Sequence, residues 1–164
     1  MSNALVSRAE VPTAEVTPTT VDYFVHPGIG DGEPRPIYRN FGEPHWRTKI
    51  EIAALLSWPE GWNGYDAVAP NPEAVRQAYS WIEAFYEDTL TADKGWIAPH
   101  HVVADAYGNV VLEWWEGRKK LTIYVHPETV EYVKVWGPDI FSDMEDGEIE
   151  GAEDHRALWR WLTE

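Results

Sequence analysis

WIAPHHVVADAYGNVVLEWWEGRKKLTIYVHPETVEYVKVW, residues 96–136, carries the strand pattern on which the architecture turns. Its apolar residues recur with a period of two, the spacing at which side chains of a strand return to one face. Residues 96–104, 110–115, 120–125 and 130–136 therefore read as four strands. The breaks between them, Tyr107-Gly108-Asn109, Glu116-Gly117-Arg118 and His126-Pro127-Glu128, are too short for a crossover and predict an antiparallel meander. Val110, Leu112 and Trp114 fall on one face and Val111, Glu113 and Trp115 on the other, while Leu121, Ile123 and Val125 alternate with Thr122 and Tyr124. One face is apolar enough to receive helices.

Upstream, residues 71–86 have the grammar of a helix: Asn71 can cap it, Pro72 suits its first position, and Val75, Ala78, Tyr79, Ile82, Phe85 and Tyr86 repeat at helical spacing. An earlier helix opens at Glu43-Pro44, with Trp46, Ile50, Ala53, Ala54 and Ser57 marking one side, and ends before Trp58-Pro59. The turn-rich EGWNGYDAVAPNP, residues 60–72, links the two. Residues 1–20 read as a flexible tail and residues 21–43 as an irregular arm pinned by Tyr23, Phe24, Ile37, Tyr38 and Phe41. Beyond Gly137-Pro138, residues 139–153 read as an acidic loop and residues 153–162 as a last helix with Leu158, Trp159, Trp161 and Leu162 as its apolar residues. The expected fold class is α+β: two N-terminal helices, a four-stranded antiparallel β-meander and a short C-terminal helix, in one domain over residues 21–164.

With 28 acidic and 13 basic side chains the formal net charge is −15, which repels nucleic acid and anionic membrane and makes a charged partner a basic one. The acid is unevenly placed: Asp139, Asp143, Glu145, Asp146, Glu148, Glu150, Glu153 and Asp154 occur with no Lys or Arg among them. The absence of cysteine removes disulfides, thiolate catalysis and Cys-ligated metal sites. No phosphate-cradling glycine loop, HExxH pair or calcium-loop pattern occurs, so neither cofactor nor metal is expected. No stretch approaches the ~20 apolar residues of a membrane span, and residues 1–20 lack the apolar core of a secretory signal, so a cytoplasmic location is expected.

The segment LLSWPEGWNGYDAVAPNP, residues 55–72, followed by a helix and then HVVADAYGNVVLEWWEGRKKLTIYV, resembles an uncharacterised family of small bacterial and phage proteins. That family's pattern runs leucine-rich helix, Gly-Trp-Asp-Gly-Tyr-Gly-Ala, Pro-rich link, helix, then a meander containing Leu-Glu-Trp. Gly61, Trp62, Gly64, Tyr65, Ala67 and Leu112-Glu113-Trp114 match it, whereas Asn63 stands in place of its Asp and Asp66 in place of its second-loop Gly. Over residues 55–125 the resemblance implies the fold outline and a bacterial or phage origin. The family has no established activity, so no catalytic residue is transferred.

Several features are candidates for function. The loop from Gly61 to Asp66 carries Trp62, Asn63, Tyr65 and Asp66 on a tight path, as a partner contact or as a plug between helices and sheet. Trp114 and Trp115 must face opposite sides, which makes Trp115 an interface anchor or a residue covered by the N-terminal arm. The acidic stretch reads either as a solvated loop or as a decoy surface. As a decoy, Asp139, Asp143, Glu145, Asp146, Glu148 and Glu150 offer charge to a site built for phosphates, and Phe141, Met144 and Ile149 add apolar contact. Arg118-Lys119-Lys120 reads as a solvated turn. His100 and His101, consecutive on a strand, cannot reach one metal from the same face.

The leading expectation is an acidic protein-binding module or inhibitor, with no catalytic residues. It would occupy a basic, nucleic-acid-binding surface of a partner protein, as in phage–host conflict or an antitoxin or immunity protein. One alternative is a small enzyme or ligand-binding domain using His101, Asp105 and Glu113 near the Trp62 loop. Another is a homodimer formed through exposed aromatics.

Overall fold

In the computed structural model, which describes residues 44–90, 92 and 94–164, the meander forms and gains a strand. The tail and arm expected over residues 1–43 lie outside the described residues. Strands β1 (His101–Ala104), β2 (Val110–Glu116), β3 (Lys119–Val125), β4 (Val130–Val135) and β5 (Met144–Glu148) form one antiparallel sheet in chain order. Helices α1 (Trp46–Ala54), α2 (Pro72–Thr89) and α3 (Ala152–Thr163) complete the α+β architecture, with a 3-10 turn, Leu55–Ser57, closing α1. No described helix is long and apolar enough to cross a membrane.

The alternation read from the sequence sets the core. Val110, Leu112, Trp114, Leu121, Ile123 and Val125 are fully buried on the inner face, against Ala78, Ile82 and Phe85 of α2 and Leu158, Trp159 and Leu162 of α3. Each large apolar side chain so buried contributes about 1.5–3 kcal/mol relative to exposure. Asn71 caps α2 as expected, its Oδ1 accepting from the Glu73 N–H at 2.9 Å, with Pro72 in the first turn. The buried His155 imidazole of α3 lies 2.6 Å from the Asp88 carboxylate of α2 and edge-on to Trp81 and Phe85, which ties the two helices together.

Three expectations are corrected. Five strands replace four, because residues 144–148 of the expected acidic loop pair with β4 from Met144↔Val135 to Glu148↔Glu131. Asp and Gly are poor strand formers, yet an edge strand tolerates charge, and the ring of Tyr132 lies across Gly147 where a Cβ would meet it at 3.0 Å. The first strand is shorter than residues 96–104. Pro99 has no N–H for a ladder, and Trp96 and Ile97 serve the core instead, Trp96 stacked on Trp159 and the Ile97 carbonyl accepting from Trp114 Nε1 at 2.9 Å. The face assigned to α1 is also wrong: Ile50, Ala53 and Ala54 are exposed, and Thr48, Lys49 and Ile52 are buried. Lys49 turns inward because its ammonium meets Glu83 at 2.7 Å and the face of the Tyr79 ring at 4.2 Å.

Candidate functional site

The β4–β5 ribbon divides the acidic side chains into two populations. The first is consumed by the structure. Asp139 and Asp143 build a closed turn: the Asp139 N–H donates to Asp143 Oδ2 at 3.2 Å, the Phe141 N–H donates to Asp139 Oδ1 at 3.0 Å, and the Asp143 N–H donates to the Asp139 carbonyl at 2.6 Å. Gly137 leaves room for the Asp143 carboxylate, which a Cβ there would displace from the turn. Asp154 Oδ2 accepts from the N–H of Glu150 at 2.8 Å and of Gly151 at 3.3 Å at the start of α3. Glu145 faces inward, 2.7 Å from Lys134 Nζ, and accepts from the Tyr132 hydroxyl at 3.0 Å.

The second population faces solvent. Glu131 on β4 and Asp146 and Glu148 on β5 share the outward face, with Glu131 and Glu148 directly opposite one another. Like charges so placed repel. The His126 imidazole is 3.6 Å from Glu131, while the side chains of Asp146, Glu148, Glu150 and Glu153 have no hydrogen-bond or ion-pair partner among the described residues. Beside these acids stand exposed apolar groups: Ile140 and Phe141 at the tip of the Asp139–Asp143 turn, Phe141 94% exposed, and Met144 at the head of β5.

Tyr132, Glu145 and Lys134 form a latch that holds β5. The hydrogen bond from Lys134, aided by that from Tyr132, draws the Glu145 carboxyl below its ordinary value. Burial, followed by the hydrogen bond and charge of Glu145, pushes the Tyr132 phenol above its own. A lowered carboxyl stabilises the fold above its unfolded pKa and loses that contribution as pH falls through the folded value. A raised phenol stabilises it below the ordinary phenol pKa and loses that contribution as pH rises through the folded value. The latch is therefore intact from weakly acidic to weakly alkaline solution and opens at both extremes. Because Glu145 is half exposed, each limb is worth less than about 1 kcal/mol. Following the Gly147 amide resonance against pH, both limbs are expected in the native chain, and the acid limb is expected to vanish in Glu145→Gln.

The remaining sequence candidates are dispersed. Trp62 packs against Trp58 at 4.7 Å and is half-buried, its indole N–H enclosed without an acceptor among the described residues. Tyr65, 82% exposed, and Asp66 project to solvent, on a path permitted by Gly61 and Gly64 at φ 70° and 81°. This loop is tied to the β1–β2 turn by the bonds from the Val68 N–H to the Ala106 carbonyl (3.1 Å) and from the Asn71 N–H to the Gly108 carbonyl (2.8 Å), far from β5 at the opposite edge of the sheet. Trp115 is half-buried, flanked by His100 and His101 at ring distances of 5.2 and 4.7 Å and by Lys120 Nζ at 5.4 Å. It shares an outward row with Lys120, Val135 and Met144, about 14 Å from β5 at the usual strand spacing.

The trio His101, Asp105 and Glu113 does not assemble. Glu113 lies between His101 at 3.3 Å and Lys120 at 2.6 Å. The Asp105 carboxylate instead accepts from the N–H groups of Tyr107 (2.8 Å) and Asn109 (2.9 Å) and from Asn109 Nδ2 (2.9 Å), so it shapes the β1–β2 turn. Among the described residues no cluster of His, Asp and Glu has the arrangement of a metal site. Glu131, Tyr132 and Lys134 belong to no motif in the sequence, yet they face β5 across the ribbon. The available signal was the spacing of two in Tyr132-x-Lys134 and Glu145-x-Gly147, which matches across a ribbon. Comparison of the chain with protein-family models, with curated proteins and with solved structures finds no match.

Proposed function

We propose that this chain is a protein-binding module that acts by covering a basic surface of a partner macromolecule, in the manner of an inhibitor or immunity protein. The observation that carries this reading is the group of outward carboxylates, Glu131, Asp146 and Glu148 with Glu150 close in sequence, set beside the exposed Ile140, Phe141 and Met144. Uncompensated charge speeds encounter with an oppositely charged surface, and exposed apolar side chains supply contact once encounter has occurred. A surface built to hold phosphates is one basic surface of this kind. The net charge of −15 supports the same direction of partner choice, and the absence of cysteine suits action in a reducing cytoplasm.

The test uses the partner that co-purifies with the chain from its native host. A variant combining Glu131→Gln, Asp146→Asn, Glu148→Gln and Glu150→Gln removes the outward carboxylates, Glu131 with its His126 contact included, and leaves Asp139, Asp143, Glu145 and Asp154 in their structural roles. It is expected to fold at least as stably, because it relieves the Glu131–Glu148 repulsion. Its affinity for the partner is expected to fall by about tenfold or more, chiefly through a slower on-rate, and binding of the native chain is expected to weaken as salt rises. Affinity that is indifferent both to salt and to these substitutions would refute the reading.

A further inference from the structure

Strand β5 ends the sheet, and the direction of its peptide groups follows from alternation. The Trp136 N–H donates to the Asp143 carbonyl at 3.0 Å and the Ile149 N–H to the Val130 carbonyl at 2.8 Å, so Glu145 and Gly147 between them also aim their peptide groups at β4. Met144, Asp146 and Glu148 consequently aim N–H and C=O away from the sheet, where no described strand lies. These same residues carry their side chains on the outward face. Among the described residues, a row of backbone donors and acceptors without a strand partner thus coincides with a row of one apolar and two acidic side chains. The hydrogen-bonded turn described above holds Phe141 at the head of the row.

Charge selects what such an edge can accept. A second copy paired through β5 would bring further carboxylates against Asp146 and Glu148 across an adjacent strand, where like charges repel. A strand with Lys or Arg at alternate positions would meet opposite charge along the same row. We propose that β5 binds an extended segment of a basic partner by antiparallel strand addition, placing cations opposite Asp146 and Glu148 and an apolar side chain against Met144 and Phe141. The proposal rests on the function proposed above and states how the basic surface is engaged.

In an antiparallel pair the residue directly opposite Asp146 exchanges both backbone hydrogen bonds with it and points its side chain to the same face. The cationic residues of the partner strand therefore turn their own N–H groups toward β5, and the residues between them turn theirs away. This distinguishes strand addition from charge attraction alone. The probe is a capped heptapeptide of alternating Lys and Val ending in Phe, titrated into the full isotope-labelled chain and followed by amide resonances. Two isomers with unchanged charge are compared with it, one N-methylated on the lysines and one on the valines.

The expected result is saturable binding that perturbs the amides of Met144, Asp146 and Glu148. N-methyl-lysine should weaken it about tenfold or more, whereas N-methyl-valine should leave it within about threefold. The double variant Asp146→Asn with Glu148→Gln, which keeps the backbone edge, is expected to weaken the unmodified peptide by a similar factor. If both N-methylated isomers bind equally and remain salt-sensitive, strand addition is overturned while the basic-partner reading stands. If none of the peptides shows salt-sensitive binding at β5, both fall. A dimer paired through β5 in sedimentation and cross-linking would also overturn the proposal.

Discussion

Trp114→Ala is expected to lower the unfolding free energy by about 3–5 kcal/mol, the range for removing a large aromatic from a packed core. Trp114 is fully buried on β2, its ring 5.7 Å from Phe85 of α2, and its indole N–H donates to the Ile97 carbonyl at 2.9 Å. It therefore joins the sheet, α2 and the segment leading into β1. Against a total stability of about 5–15 kcal/mol, such a loss takes the chain close to unfolding. Trp114→Phe keeps most of the packing and loses the hydrogen bond, so a smaller change of about 1 kcal/mol is expected. Urea unfolding of both variants supplies the check. A loss below about 1.5 kcal/mol in Trp114→Ala would mean that the residue is not the joint described.

Gly108→Ala is the second substitution with a large expected effect. Gly108 has φ 84°, a left-handed conformation that costs a residue with a Cβ about 1–2 kcal/mol. The added Cβ would also stand 2.7 Å from the Ala69 carbonyl oxygen, which is closer than such atoms approach, so the backbone must move. Movement breaks the bonds from the Asn71 N–H to the Gly108 carbonyl and from the Val68 N–H to the Ala106 carbonyl, each worth about 0.5–1.5 kcal/mol. Gly64→Ala is the control. Its φ of 81° imposes a similar conformational penalty, yet no heavy atom lies within 4 Å of the Cβ position. Gly108→Ala is therefore expected to be the more damaging by at least about 1 kcal/mol, with faster amide exchange at Val68 and Asn71. Equal losses in the two variants would show that the Ala69 contact does not hold the loop.

Much of the fold was legible because its signals are local. The cap at Asn71, the proline at position 72 and the apolar spacing through Phe85 specify α2 without reference to the rest of the chain. The period of two through residues 110–125 assigned the faces of β2 and β3 correctly, down to the opposite fates of Trp114 and Trp115. The signals failed where the deciding partner is remote. The face of α1 expected from Ile50, Ala53 and Ala54 is exposed, because Glu83 and Tyr79 of another helix draw Lys49 inward instead. Residues 144–148 looked like loop because Glu, Asp and Gly are poor strand formers, and β4 made them a strand.

The candidate site divides along the same line. Composition alone determined that the protein carries a large excess of negative charge, and strand alternation alone determined that one of two adjacent tryptophans lies outside the main core. Which carboxylates accept hydrogen bonds and which have no donor among the described residues follows only from the folded arrangement. Asp139, Asp143, Glu145 and Asp154 are held by hydrogen bonds, whereas Asp146 and Glu148 point outward from a strand edge. The physical reason is that a carboxylate's availability depends on the donors that reach it. For Glu145 those donors sit on a neighbouring strand, at Tyr132 and Lys134, where one-dimensional order places them 13 and 11 positions away and folding brings them within 3.0 Å.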